Sequence, residues 1–113
     1  MAAGQEMLHL LSLHLADGQP QVVEDRWLNP QVLPDPTPDF AAISANEWLV
    51  SNLAFLTGDI AFSAETASTA EAAALGVAAG AALFITTRCT WGEVPITWVR
   101  LAHAPGYRLQ TML

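Results

Sequence analysis

Ser12 and His14 stand two residues apart within an apolar run from Leu8 to Leu15. In a strand, that spacing puts a hydroxyl and an imidazole on one face. Both groups donate and accept hydrogen bonds, and neither brings a fixed positive charge. Arg88 offers a planar guanidinium fork, a shape that fits a carboxylate, so it is a candidate clamp for an anionic small molecule. Each reading has a plainer rival. Ser12 and His14 could simply line the wet face of an antiparallel strand, and Arg88 could make a salt bridge at a rim. Other chemistry is poorly provided for. His9, His14 and His103 lack a metal-ligand spacing such as H-x-x-x-H, and no metal or other cofactor is expected. Cys89, the single cysteine, reads as a buried apolar thiol and not a nucleophile. Trp27, Trp48, Trp91 and Trp98 suit core or interface packing better than a platform for stacked bases. No G-x-S-x-G, phosphate-binding loop or dinucleotide fingerprint occurs. No residue is assigned a catalytic role.

The composition narrows the class further. The chain has 113 residues, 52% of them hydrophobic and 13% charged, which suits one packed domain. Its longest apolar stretch, Ala72 to Ile85, is interrupted by two glycines. It falls short of the roughly 18 residues a membrane span needs. The N-terminus lacks a basic segment followed by an apolar core, and one cysteine cannot make an internal disulfide. A cytoplasmic location is expected. Four cationic residues, Arg26, Arg88, Arg100 and Arg108, face eleven carboxylates, for a net charge of −7. Affinity for nucleic acid comes largely from cations that displace phosphate counterions. With these arginines scattered, direct DNA binding by this chain is not expected.

The elements that must position these groups are marked by turns and caps. Met7 to Leu15 and Pro20 to Leu28 read as strands around Ala16-Asp17-Gly18-Gln19, and Asp-Gly between apolar runs signals a hairpin. Asn29 to Pro38 holds four prolines and reads as an extended connection. Ser44-Ala45-Asn46-Glu47 and Ser68-Thr69-Ala70-Glu71 both carry the S-x-x-E capping pattern. The first helix should run to about Leu53. The second should stop at Gly76, a natural left-handed terminator. Asp59 to Glu65 reads as a strand, and Ala82 to Thr90 with Val94 to His103 as a second hairpin. A last short strand is expected over Tyr107 to Met112. The fold class is α+β, an antiparallel sheet with two helices. Ala2-Ala3-Gly4 before the first hairpin is echoed by Ala78-Ala79-Gly80 before the second. Gly4 to Pro20 spans sixteen residues and Gly80 to Pro95 fifteen. The chain reads as two halves, the first lacking the strand and helix (Asp59 to Leu75) that lead into the second.

With those elements set out, a family comes into view. The residues that carry it are Glu24-Asp25-Arg26-Trp27-Leu28-Asn29-Pro30, Asp39-Phe40, Asn46-Glu47-Trp48-Leu49, Leu75-Gly76-Val77 with Ala79-Gly80, and Arg88 with Thr90-Trp91. In that order and spacing they closely resemble the UTRA effector domain of GntR-type transcription repressors, over residues 2 to 110. The combination of E-D-R-W-L-N-P with A-N-E-W-L is most similar to the histidine-utilisation repressor branch. The resemblance implies a chorismate lyase-like fold, truncated here at its N-terminus. It also implies a ligand cleft between the repeat halves and a homodimer, with DNA reading left to a winged helix absent from this chain. In that branch the effector is urocanate, an imidazole joined to an acrylate. Residues 1–113 would then be one effector-binding domain. Two departures stand out: His103-Ala104-Pro105-Gly106-Tyr107-Arg108 is one residue shorter than the branch's usual tail, and Thr87-Arg88-Cys89 replaces a cluster of arginines.

The resemblance also implies roles for residues. Ser12 and His14 match two arginines of an R-L-R motif in sugar-phosphate-sensing relatives, so their identity here points to a less anionic ligand. Glu24 matches a ligand-touching glutamate and could accept an imidazole N–H; its plain alternative is a surface glutamate, free or paired with Arg26. Asn46 matches a position at a helix start, where free amides favour a carboxylate, or else serves only as turn entry. Thr97 and His103 fall at pocket positions on one face of the last long strand, and Tyr107 is a candidate lid. Two rival functions remain open at this point. One is a chorismate lyase-like enzyme, for which dispersed arginines supply a dicarboxylate poorly. The other is a regulator fragment acting only through dimerisation at an unpaired strand edge.

Overall fold

The computed structural model describes residues 6–53, 57–108 and 110. Five antiparallel strands form one sheet: β1 (Leu8–Ala16), β2 (Gln19–Leu28), β3 (Thr57–Thr66), β4 (Ala82–Trp91) and β5 (Pro95–His103). The strand order is β1-β2-β5-β4-β3. Helices α1 (Ala45–Asn52) and α2 (Thr69–Leu75) precede β3 and β4. This is the expected α+β class.

Local chemistry accounts for the element ends. Asp17 and Gly18 adopt φ of 51° and 75°, the two positive values that a tight hairpin requires, and asparagine, aspartate and glycine tolerate them best. At α2, Ser68 accepts from the Glu71 amide while the Glu71 side chain accepts from the Ser68 amide, so the capping box is complete. At α1 only the forward half forms among the described residues: Ser44 Oγ accepts from the Glu47 amide at 3.3 Å. Gly76 closes α2 at φ 69°. The proline-rich connection is not extended throughout, because Pro30–Val32 makes a single tight turn capped by the Asn29 side chain. The strand expected over Tyr107 to Met112 is not there at Tyr107, Arg108 and Gln110; its remaining positions lie outside the described residues. Pro105-Gly106 instead turns the chain, and the Tyr107 ring stacks on His103 with centroids 3.9 Å apart.

The two helices cover opposite faces of the sheet. Under α2, Ala72 and Leu75 pack with Val23, Leu83, Ile85 and Ala102. Complete burial of a side chain such as Ile85 or Leu83 contributes about 1.5–3 kcal/mol. Arg100 on β5 ties this face together by reaching Glu71 on α2 (3.0 Å) and Glu65 on β3 (3.1 Å). Under α1, Ala45 and Leu49, four residues apart on one helix face, pack with Leu28 and Ile96. A helix of eight residues is marginal alone, so this packing is what holds α1 in place.

The order of strands also has an internal logic. Hairpins β1–β2 and β4–β5 flank a central antiparallel β2–β5 pair, which is the arrangement of two like halves. β3 continues the sheet beyond β4, whereas β1 has no outer neighbour among the described residues.

Candidate functional site

Side chains alternate along each strand, so the pairing registers determine which residues share the face beneath α1. Reading across β1, β2, β5 and β4, that face carries four rows. They run Leu8–Leu28–Thr97–Thr90, Leu10–Arg26–Val99–Arg88, Ser12–Glu24–Leu101–Thr86 and His14–Val22–His103–Phe84. Every strand residue expected at the site, Ser12, His14, Glu24, Arg88, Thr97 and His103, therefore lies on one side of the sheet. Asn46 is brought over it by α1, and Tyr107 covers its His103 end.

The centre of this face is an ionic chain. Arg26 is 1% exposed and donates from Nε to Glu24 Oε2 at 2.7 Å and from Nη1 to Thr97 Oγ1 at 3.1 Å. Thr97 in turn donates to the Trp27 carbonyl at 2.8 Å. The other Glu24 oxygen lies 2.8 Å from His14 Nε2. Burial pushes the Glu24 carboxyl up, but the Arg26 guanidinium, aided by His14, outweighs it and holds the carboxyl below its usual 4.5. Glu24 is thus an anion at neutral pH with both oxygens engaged. Arg26 and Glu24 are two apart on β2, and that spacing is the signal that could have exposed the buried pair. Glu24 is paired with Arg26, as one of its plainer readings had it, but the pair is buried and not at the surface.

Two clefts open on this face on either side of the first turn of α1. One, of about 290 Å³, is bounded by Ser12, His14 and Glu24 on the sheet and by Phe40, Ile43 and Ser44 above. The other, of about 370 Å³, is bounded by Asn46, Arg88, Thr90, Thr97, Gly58 and Ile60. Arg88 Nη2 donates to Asn46 Oδ1 at 2.7 Å across this second cleft. The loop at Phe40 to Ser44 and the β3 wall at Gly58 and Ile60 were not among the sequence-derived candidates. Nothing in the local sequence ties them to residues tens of positions away.

His103 and Tyr107 are brought together but line neither cleft. His103 Nε2 lies 3.1 Å from Thr86 Oγ1. Its Nδ1 is buried with no hydrogen-bond partner among the described residues. Burial holds its pKa below the usual 6.5. The ring sits among Phe84 and Tyr107, with Phe62 beyond Phe84. No group of three or more His, Cys, Asp or Glu with metal-holding geometry occurs among the described residues.

One largely apolar face covered by a helix, and one more polar face hollowed beneath another, make a construction suited to a small guest. The chain belongs to the UTRA domain family, whose model matches residues 1–107. It is 32% identical over 110 residues to the histidine utilization repressor of Pseudomonas putida, covering 96% of this chain and 44% of that protein. The histidine utilization repressor of Pseudomonas aeruginosa is 33% identical over 107 residues, covering 93% and 42%. The chain thus spans less than half the length of these curated relatives. Among solved structures, it is similar to the C-terminal domain of the histidine utilization repressor from Pseudomonas syringae pv. tomato. That match has a TM-score of 0.85 and 33% identity over 100% of this chain and 82% of that one. A GntR family transcriptional regulator from Enterococcus faecalis V583 shares the fold at a TM-score of 0.79 and 20% identity, over 100% and 84%. Among the described residues, no helix is long and apolar enough to cross a membrane.

Proposed function

We propose that this chain is the effector-binding and dimerisation domain of a GntR-type repressor, without enzymatic activity, and that its polar face holds a small carboxylate such as urocanate. We read residues 1–113 as one such domain, with DNA bound only through a separate winged helix. Its place of action on this reading is the cytoplasm, as a homodimer.

The observation that carries the reading is the pairing of Arg88 with Asn46 in the lining of a cleft of about 370 Å³, with an anionic Glu24 in the adjoining cleft of the same face. Arg88 would turn its fork to a ligand carboxylate, aided by the free amides at the start of α1. An imidazole N–H would take the place of His14 on Glu24, since the His14 side chain is half exposed and free to swing away. Ser12 and Thr97 would add neutral hydrogen bonds, while His103 and Tyr107 would form the apolar end of the face. Two of the four arginines, Arg26 and Arg100, are committed to carboxylates of the fold, which leaves little cation for a dicarboxylate substrate.

Calorimetry with urocanate tests the reading. Binding is expected, weakened about tenfold or more by Arg88→Ala, the loss of a charge-assisted bidentate contact. Glu24→Gln should weaken it less. Absence of heat with urocanate removes that ligand, and pyruvate release from chorismate overturns the non-enzymatic assignment.

A further inference from the structure

The two oxygens of Glu24 are held in unlike ways. Oε2 accepts from Arg26 Nε at 2.7 Å, and Arg26 is 1% exposed and also bound to Thr97. That half of the carboxylate is fixed, because moving Arg26 would strand two buried groups at once. Oε1 has one partner among the described residues, His14 Nε2 at 2.8 Å. An ionised carboxylate only accepts, so the imidazole is the donor there. All three side chains lie on the α1 face, on strands paired to one another. Of the two partners only His14 lines the cleft of about 290 Å³, beside Ser12, Phe40 and Ser44. His14 makes no other side-chain hydrogen bond among the described residues, so it is the partner that can leave.

We infer, on the reading of the α1 face just given, that His14 is a specificity-determining residue that works by exchange. Its imidazole occupies the donor position on Glu24, and a guest gains that position only by supplying a ring N–H in its stead. His14 is then the competitor of the guest and not one of its contacts. The class of guest this selects is a small acid whose ring carries an N–H. Such a molecule trades one ring-to-carboxylate bond for another, and Glu24 is never left buried without a donor. A carbocyclic acid of the same shape has nothing to trade. Either His14 stays and blocks the position, or it leaves and one oxygen of a desolvated anion loses its partner. The exchange has a cost, since each productive guest must first break the His14 contact. His14 therefore lowers affinity for the guests it selects, the opposite of what a contact residue does.

Calorimetry of the 113-residue chain with urocanate and with trans-cinnamate, its carbocyclic counterpart, tests this by the sign of the change. His14→Ala and His14→Phe should each tighten urocanate roughly threefold to tenfold, the share of one partly solvated, charge-assisted hydrogen bond. Phenylalanine keeps the bulk of the ring without its donor, so it separates exchange from mere space. Cinnamate should bind more weakly than urocanate throughout and gain less than about twofold from either substitution. Urocanate that is weakened or unchanged in both variants overturns the inference. So does a gain with alanine alone, or an equal gain for cinnamate. If urocanate gives no heat with any of the three proteins, that ligand is lost, and imidazole alone decides the exchange. At constant pH it should shift the His14 ring resonances of the wild-type chain, with a half-point at least about threefold higher in Glu24→Gln. Unmoved resonances, or equal half-points in the two proteins, overturn the inference.

Discussion

The face of the sheet under α2 and the face under α1 share the same five strands, yet they bury different mixtures of residues. Under α2 the buried apolar set is Val23, Ala67, Ala72, Leu75, Leu83, Ile85 and Ala102, and the one buried carboxylate there, Glu71, is paired with Arg100. Under α1, Glu24, Arg26, Thr86, Thr97 and His103 are all buried. Apolar packing is tolerant of detail and cheap to satisfy, whereas every buried polar group must find a partner or destabilise the fold. The α2 face is held mainly by apolar packing, whereas the α1 face combines packing under α1 with a buried ionic chain.

The largest expected effect comes from breaking the polar face at its centre. Arg26→Met leaves the Glu24 carboxylate buried without its guanidinium, and should destabilise the domain by about 3–5 kcal/mol in urea unfolding. The double change Arg26→Met with Glu24→Gln should recover most of that, because no buried charge is then left alone. A loss below about 1 kcal/mol in the single variant would erase the distinction between the faces. On the α2 face, Ser68→Ala removes one half of a complete capping box and should cost about 1 kcal/mol. Urocanate affinity should stay the same, and a matching fall in affinity would show that the faces are coupled.

The smallest effect is in the pH dependence. The folded-state pKa of His103 is lowered by burial from 6.5, so below that pH the unfolded chain binds the extra proton. Stability is therefore complete above about pH 6.5 and declines as pH falls toward the folded value. The carboxylates Glu24, Glu65 and Glu71, held below 4.5 by their partners, lose their contribution only at lower pH. His103→Phe should flatten the slope of unfolding free energy between pH 6.5 and 5. An unchanged slope assigns it to other groups.

How much of this was legible in the sequence follows from the range of each interaction. The Asp17-Gly18 hairpin, the Ser68 cap and the Gly76 stop depend on residues within four positions of each other, and each formed as read. That Ser12 and His14 share one face of their strand, and Thr97 and His103 one face of theirs, was legible from period-two alternation. That both pairs lie on the same side of the sheet comes from the strand register. Arg88 meeting Asn46 spans 42 residues, and no local pattern signals that α1 folds over β4. Tyr107 was read both as the start of a last strand and as a candidate lid, and an aromatic, β-favouring side chain is compatible with either. Stacking on His103 satisfies that same character without a ladder.

Gly58 has a practical consequence for anyone wishing to alter what the larger cleft accepts. A methyl added there would stand 2.6 Å from the Cys89 carbonyl oxygen, so even alanine requires the two backbones to part. The β3 wall of that cavity is in effect fixed at Gly58, and its capacity is more readily retuned through lining side chains such as Ile60 and Thr90.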